Sequence, residues 1–251
     1  MRTVAQPVPV ETCILLHGFT GLPMELGPLH AALCDAGYEV ESPALAGHDG
    51  TYEGLRHVTW EDWVLSAEPT ARQAAERGPV HLIGFSMGAL VAAMVSLRTP
   101  VTSLTLLSPA IYYAHPVLAL RQLKLFIRAR FKPNGLERAY VDRRPSGFLW
   151  TPPNALREFR RFVAISRSHL INVTAPLCVI QGIQDEIVHP RGASLVCGST
   201  ASVHKELHLL PHSRHHVCLD VESDTVVRLI TTFLREAAQT ALTGNSPPIT
   251  Q

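Results

Sequence analysis

Apolar residues come in short unbroken runs along this chain, and stretches of helical character separate them. Thr12-Cys13-Ile14-Leu15-Leu16 is one such run, closed by Gly18. It is too short for a helix and shows no polar alternation, so it predicts a strand covered on both faces. A helix is predicted over Met24–Ala36, with Pro23 at its start and Gly37 at its end. Tyr38–Ser42 alternates as a strand and stops at Pro43, and residues 60–77 read as a helix punctuated by Gly78-Pro79. Val80-His81-Leu82-Ile83 predicts the next strand, and Ala89–Val95 opens another helix. Val101–Leu107 is a strand ended by Ser108-Pro109, and further strands are predicted at Leu177–Ile180 and Glu206–Leu210. A final helix spans Asp224–Leu242. Strands alternating with helices indicate βαβ units, whose right-handed crossovers build a mostly parallel sheet with helices on both faces.

Residues 111–173 break the alternation. They lie between two predicted sheet strands, read as short helices, and are strongly basic: the acids are Glu137, Asp142 and Glu158, against a dozen lysines and arginines from Arg121 to Arg167. The pattern predicts a core of 1–110 and 174–242, a helical cap inserted at 111–173, and a disordered tail at 243–251. Within the cap, Leu120, Leu123, Ile127 and Phe131 recur at helical spacing, while Arg121, Lys124, Arg128 and Lys132 form a basic stripe at the same spacing. That is an amphipathic lid helix, or else a surface for anionic headgroups or a phosphate-bearing thioester. Phe148 and Trp150 could line a pocket or pack the cap.

Composition narrows the class. The chain has 251 residues, 46% of them hydrophobic, and a mean hydropathy of +0.13. That length suits one large domain or two small ones, and the hydrophobic content points to a well-buried core. A net charge of +1 gives no argument for nucleic-acid binding. Cys13, Cys34, Cys178, Cys197 and Cys218 are odd in number and lack CxxC spacing, which fits reduced thiols better than a disulfide framework. No window approaches the roughly 20 apolar residues that span a bilayer, so a cytoplasmic protein without stable membrane insertion is expected.

Gly84-Phe85-Ser86-Met87-Gly88 carries the chemistry. A G-x-S-x-G pentapeptide directly after a strand and before a helix is a nucleophile elbow, in which a strained turn lifts the serine hydroxyl above the sheet. Positions two before and two after the serine must be small, because the turn brings strand and helix into contact there. A serine needs a base, and the base needs an orienting carboxylate. Asp185, in the loop after the strand that begins at Leu177, is placed for the second role, with Glu186 as its neighbour and rival. For the base, His204, His208, His212, His215 and His216 crowd thirteen residues. His208 falls inside a strand, His212 follows Pro211, and His215 and His216 sit where a loop gives way to a helix. The H-E-x-x-H and H-x-x-E-H spacings are absent, so the cluster does not predict a metal site. Two backbone N–H groups are candidates for an oxyanion hole: that of Met87, after the serine, and that of Phe19, in the loop His17-Gly18-Phe19-Thr20-Gly21.

These segments together resemble the α/β-hydrolase family, in its bacterial carboxylesterase and monoacylglycerol-lipase-like branch. The matching stretches are His17–Gly21, Gly47-His48, Trp60-x-x-Trp63, Gly84–Gly88, Gly182-x-x-Asp185-x-x-Val188 and Ser213–Asp220, spread over nearly all of the chain. In such relatives the last segment looks like S-x-H-V-x-x-L-D. Matching Ser213 and Leu219-Asp220 without a gap puts the catalytic histidine at His215, whereas matching His-Val directly would choose His216. The resemblance implies ester hydrolysis through an acyl-enzyme, with a Ser86–Asp185–His215 triad and no cofactor or metal. It implies a small-molecule acyl ester as substrate, with an acyl thioester carried by coenzyme A or a carrier protein as the alternative. A non-catalytic module on the same fold is the reading from another class.

Overall fold

A computed structural model describes residues 10–112 and 151–243. The rest of the cap and the tail, including the basic stripe from Arg121 to Lys132, Phe148 and Trp150, lie outside the described residues. Among the described residues, six strands form one parallel sheet: β1 (Thr12–Leu16), β2 (Glu39–Glu41), β3 (Val80–Phe85), β4 (Ser103–Leu107), β5 (Leu177–Gly182) and β6 (Lys205–Leu210). Their spatial order is β2-β1-β3-β4-β5-β6. The chain steps outward from β1 to β2, then crosses back to β3 on the other side of β1. The carboxyl ends of β1 and β3 therefore flank the topological switch point, where open α/β sheets leave a crevice for ligands. Every residue of β1, β3, β4 and β5 is buried, as continuous apolar runs require in a sheet covered on both faces.

The α-helices among the described residues are α1 (Gly27–Asp35), α2 (Tyr52–Arg56), α3 (Trp60–Arg77), α4 (Met87–Ser96), α5 (Pro153–His169), α6 (Arg191–Ser199) and α7 (Ser223–Thr243). Two apolar layers result. On one face α3, α4, α5 and α6 pack against Ile14, Leu82, Leu104 and Val179. On the other, α1 and α7 cover Cys13, Leu15, Ile83 and Ile180. Helix α3 begins at a capping box, with Thr59 and Asp62 each satisfying the other's backbone N–H.

The strand readings agree closely with the sheet, and two helical readings are corrected. The single helix expected over Met24–Ala36 is a 3-10 turn at Pro23–Leu26 followed by α1. Pro28 has no N–H to offer the carbonyl of Met24, so a continuous α-helical ladder cannot run through this point. The short helices expected in 111–173 include one of 17 residues, α5, whose buried Ala155, Glu158, Phe159, Phe162, Val163 and Ser166 form a single stripe. Helices α2 and α6 carry no clear periodic signal and have no counterpart in the sequence reading.

The turn from β3 into α4 has no spare room. A Cβ on Gly84 would collide with the carbonyl of Gly88, and one on Gly88 with those of Leu16 and His17. Strand β1, strand β3 and helix α4 thus touch backbone to backbone beneath Ser86. Just above, the imidazole of His17 is fully buried and spans two loops: its Nε2 accepts the N–H of Leu45 at 3.1 Å, so Nδ1 carries the proton and donates to the carbonyl of Gly18 at 3.0 Å. That arrangement needs the neutral ring. Burial, aided by neighbouring His48, holds His17 down at about 3 against an ordinary 6.5. Burial likewise holds His81, bonded to Ser103 at 2.7 Å, down at about 4.

Two predictions follow from this packing. Gly88→Ala forces strand from helix and is expected to lower unfolding stability by roughly 1–3 kcal/mol. Gly27→Ala, where an added Cβ meets nothing within 4 Å, is neutral or stabilising by up to about 1 kcal/mol. Urea unfolding of both variants checks the contrast, and equal effects would contradict it.

The buried histidines set an acid limit. Below pH 6.5 the unfolded chain takes up protons that the folded chain refuses, so their contribution is fully present above that value. It is lost as pH falls toward 4 for His81 and 3 for His17. Each ring steepens the loss by about 1.4 kcal/mol per pH unit. Unfolding free energies between pH 7 and 5 are expected to fall less steeply in His17→Gln than in the parent, whatever the variant's absolute stability. An unchanged slope would refute the assignment.

Candidate active site

Ser86 stands at the point where β3 turns into α4, with φ +56° and ψ −113°, a backbone region that side-chain-bearing residues rarely occupy. Three backbone bonds hold it there. Its N–H donates to Leu107 at 2.8 Å, and its carbonyl accepts from Ala89 and Ala110, each at 3.2 Å. The strain is sustained by β4 on one side and the first turn of α4 on the other.

His215 reaches Ser86 from the loop after β6. Its Nε2 lies 3.1 Å from Ser86 Oγ, and its Nδ1 lies 2.8 Å from Asp185 Oδ2 in the loop after β5. The carboxylate of Asp185 is itself fixed on both oxygens. Oδ1 accepts the backbone N–H groups of Ile187 and Val188, each at 2.8 Å, and Oδ2 accepts the side-chain amide of Gln181 at 2.7 Å. Four donors therefore converge on one buried carboxyl group and aim one of its oxygens at the imidazole. Asp185, rather than the adjacent Glu186, is the acid that reaches the histidine.

The two histidines separate clearly. His215 is buried and lies between Ser86 and Asp185, whereas the ring of His216 packs on Phe85 at a centroid distance of 4.3 Å. Ser108, itself at φ +45°, donates its hydroxyl to the carbonyl of His215 at 2.8 Å and anchors the loop from beneath. Gly182 is the second anchor, since a Cβ there would meet the carbonyls of Ser213 and Arg214. Glu222 takes the N–H of His212 at 2.9 Å and the hydroxyl of Ser213 at 2.6 Å. Gln181, Ser108 and Glu222 carry no sequence signature of these roles.

The loop after β1 closes the other side. Gly18 passes so near the elbow that a Cβ would lie 3.3 Å from the ring of Phe85 and 3.4 Å from Cβ of Ser86. A turn bonded from Gly21 N–H to the Gly18 carbonyl puts Thr20 at φ +60°, a region that favours glycine. The turn is braced by Phe19, which stacks on Phe159 of α5 at 4.8 Å and 11° and meets Trp63 edge-on at 5.8 Å. His48 adds a third wall at 6.3 Å, and burial pushes its pKa down, keeping it neutral against the apolar rings. Met87 opens α4, so its N–H has no acceptor within the helix. Among the described residues, no loop or turn carbonyl takes the N–H of Phe19 or Met87.

Residues 13–229 match the model of the alpha/beta hydrolase family. The chain is 26% identical over 228 residues to a thermostable monoacylglycerol lipase from Bacillus sp. (strain H-257), covering 90% of each protein. It is 23% identical to a carboxylesterase from Bacillus subtilis (strain 168), covering 90% of this chain and 93% of the relative. Among solved structures, the monoacylglycerol lipase of Paleococcus ferrophilus shares the fold, with a TM-score of 0.72 at 17% identity over 90% of this chain and 94% of that one. A six-stranded parallel sheet with this strand order, and a family match over most of its length, lead to one conclusion: the chain belongs to the alpha/beta hydrolase family.

Proposed function

We propose that the protein is a serine hydrolase of carboxylic acyl esters, a carboxylesterase or monoacylglycerol-lipase-like enzyme acting through an acyl-enzyme. The observation that carries this reading is the unbroken chain Ser86 Oγ–His215–Asp185, with hydrogen-bond distances of 3.1 and 2.8 Å. The named Bacillus relatives, a lipase and a carboxylesterase, support the substrate class.

The steps balance with these groups alone. His215 Nε2 takes the hydroxyl proton as Ser86 Oγ attacks the ester carbonyl carbon. Asp185 holds the proton on Nδ1 and stabilises the imidazolium that forms. The carbonyl oxygen becomes an oxyanion facing the N–H groups of Phe19 and Met87. Collapse breaks the bond to the alcohol oxygen, which leaves with the proton from His215. Water then attacks the acyl-serine, its proton passes to His215, and Ser86 departs carrying that proton.

In the same reading, residues 111–173 form the cap over a core of 1–110 and 174–242. Its described helix α5 supports this, because Phe159 reaches from it to stack on Phe19 and so ties the cap to the proposed oxyanion loop. The thioester alternative rests on the basic stripe, outside the described residues, whereas the named relatives point to oxygen esters. Among the described residues no helix is long and apolar enough to cross a membrane.

A panel of p-nitrophenyl esters, monoacylglycerols and acyl-CoA esters tests both the class and the roles. The parent is expected to turn over oxygen esters in preference to thioesters. Ser86→Ala and His215→Ala should each lose activity by a factor on the order of 10⁴ with unchanged circular dichroism. Asp185→Asn should lower kcat with a smaller effect on KM, and His216→Ala should keep most of the parent rate. Preference for acyl-CoA would move the thioesterase reading to first place, and an active His215→Ala enzyme would overturn the base assignment.

A further inference from the structure

Strand β6 is the open edge of the sheet, and His204, Glu206 and His208 recur along this segment at every second position, so they share one face. The proposed hydrolysis uses none of them. The helical metal motifs H-E-x-x-H and H-x-x-E-H are missing here. On a strand the equivalent spacing is two, and this segment has it.

We propose that Cys178, Glu206 and His208 form a binding site for a first-row divalent cation of the zinc class. Their ligand atoms all lie within 4.8 Å of one another. Cys178 and Glu206 are direct partners in the β5–β6 register, and His208 pairs with Ile180 two positions further on. Two neighbouring strands of one sheet therefore hold the three side chains, a firmer mount than loops provide. His208 Nε2 already stands 2.9 Å from Glu206 Oε2, so nitrogen and oxygen donors converge before any ion arrives. Zinc bonds of about 2.0–2.3 Å ask only for small rotations to draw the three atoms together.

The donor set selects the ion. One sulfur, one imidazole nitrogen and one carboxylate oxygen suit zinc and its first-row neighbours, whereas magnesium and calcium take oxygen alone. Three protein ligands leave a fourth position for water, and the half-buried side chains of Glu206 and His208 give access from solvent. On binding, a metal–sulfur bond replaces the S–H bond of Cys178, and the thiol proton passes to solvent. The adjoining triad of His204, Glu206 and Glu236 is equally compact. It offers no sulfur, and it relies on the exposed Glu236 of α7, which loses more conformational freedom when fixed. An ion at the thiol site would pin the edge strand β6 to β5 below the loop that carries His215.

Cobalt(II) titration of the full-length, reduced, chelator-stripped protein tests the site, because a thiolate ligand adds a near-ultraviolet charge-transfer band that nitrogen and oxygen ligands do not. The expected result is a band saturating at one equivalent, abolished by excess zinc, together with a zinc-dependent rise in Tm. Cys178→Ser, Glu206→Gln and His208→Gln should each lose the saturable band, while Cys34→Ser and Cys197→Ser keep it. His208→Gln decides the matter if Cys178→Ser does not fold. Absence of the band in the parent, or its persistence in His208→Gln, would overturn the proposal. So would cobalt binding without the band that disappears in Glu236→Gln, which would place the ion in the adjoining triad.

Discussion

The backbone contact beneath Ser86 is the constraint from which the rest of the site follows. Gly84 faces the carbonyl of Gly88, and Gly88 in turn faces the carbonyls of Leu16 and His17. Three elements can approach this closely only where no Cβ intervenes. Their contact makes the turn at Ser86 tight enough to hold φ at +56°. It also fixes the start of α4, which presents the N–H of Met87, and the end of β1, from which Phe19 departs. A single packing requirement thus positions the proposed nucleophile and both proposed oxyanion donors. The strain at Ser86 is sustained by burial on all sides, with the apolar α4 and the fully covered β3 acting as a rigid mount.

The other half of the site depends on a different force. His215 and Asp185 come from loops after the two outer strands on this side of the sheet, and apolar packing alone does not aim them. Hydrogen bonds do. Asp185 takes donors from Ile187, Val188 and Gln181, and the His215 loop is held by Ser108, Gly182 and Glu222. Buried histidines elsewhere in the fold show what burial does to an imidazole. Burial drives His17 and His81 toward the neutral ring, even with Glu11 Oε2 at 3.6 Å from His81 Nε2. Location in the fold therefore separates structural imidazoles from the one that lies between a serine and an aspartate.

Much of this was legible in the sequence, for identifiable reasons. Strands buried on both faces write themselves as unbroken apolar runs, so β1 and β3 to β5 were readable to within a residue or two, and the half-exposed β6 was read to within one residue. The elbow was readable because its glycines are steric necessities. Asp185 followed from its place in a loop after a strand. The choice of His215 over His216 was less secure, because adjacent residues differ in orientation and only the path of the loop decides between them. Helix α6 went unread because Gly192, Ser194, Gly198 and Ser199 dilute its helical signal, and α2 is too short to show a period. The roles of Gln181, Ser108 and Glu222 were invisible, since each joins segments far apart in sequence through one hydrogen bond. The strand-borne His204, Glu206 and His208 were visible as residues, but helical spacing was the wrong template for them.

The central proposal is that the fold makes Ser86 nucleophilic by setting its hydroxyl against His215, which Asp185 orients. Labelling with a fluorophosphonate followed by peptide mass spectrometry tests it most directly, because the reagent phosphonylates an activated serine whatever its natural substrate. The account predicts a single adduct on the peptide containing Ser86 in the parent protein, and none at matched exposure in His215→Ala. An unlabelled parent, an adduct on another serine, or undiminished labelling of Ser86 without His215 would contradict it.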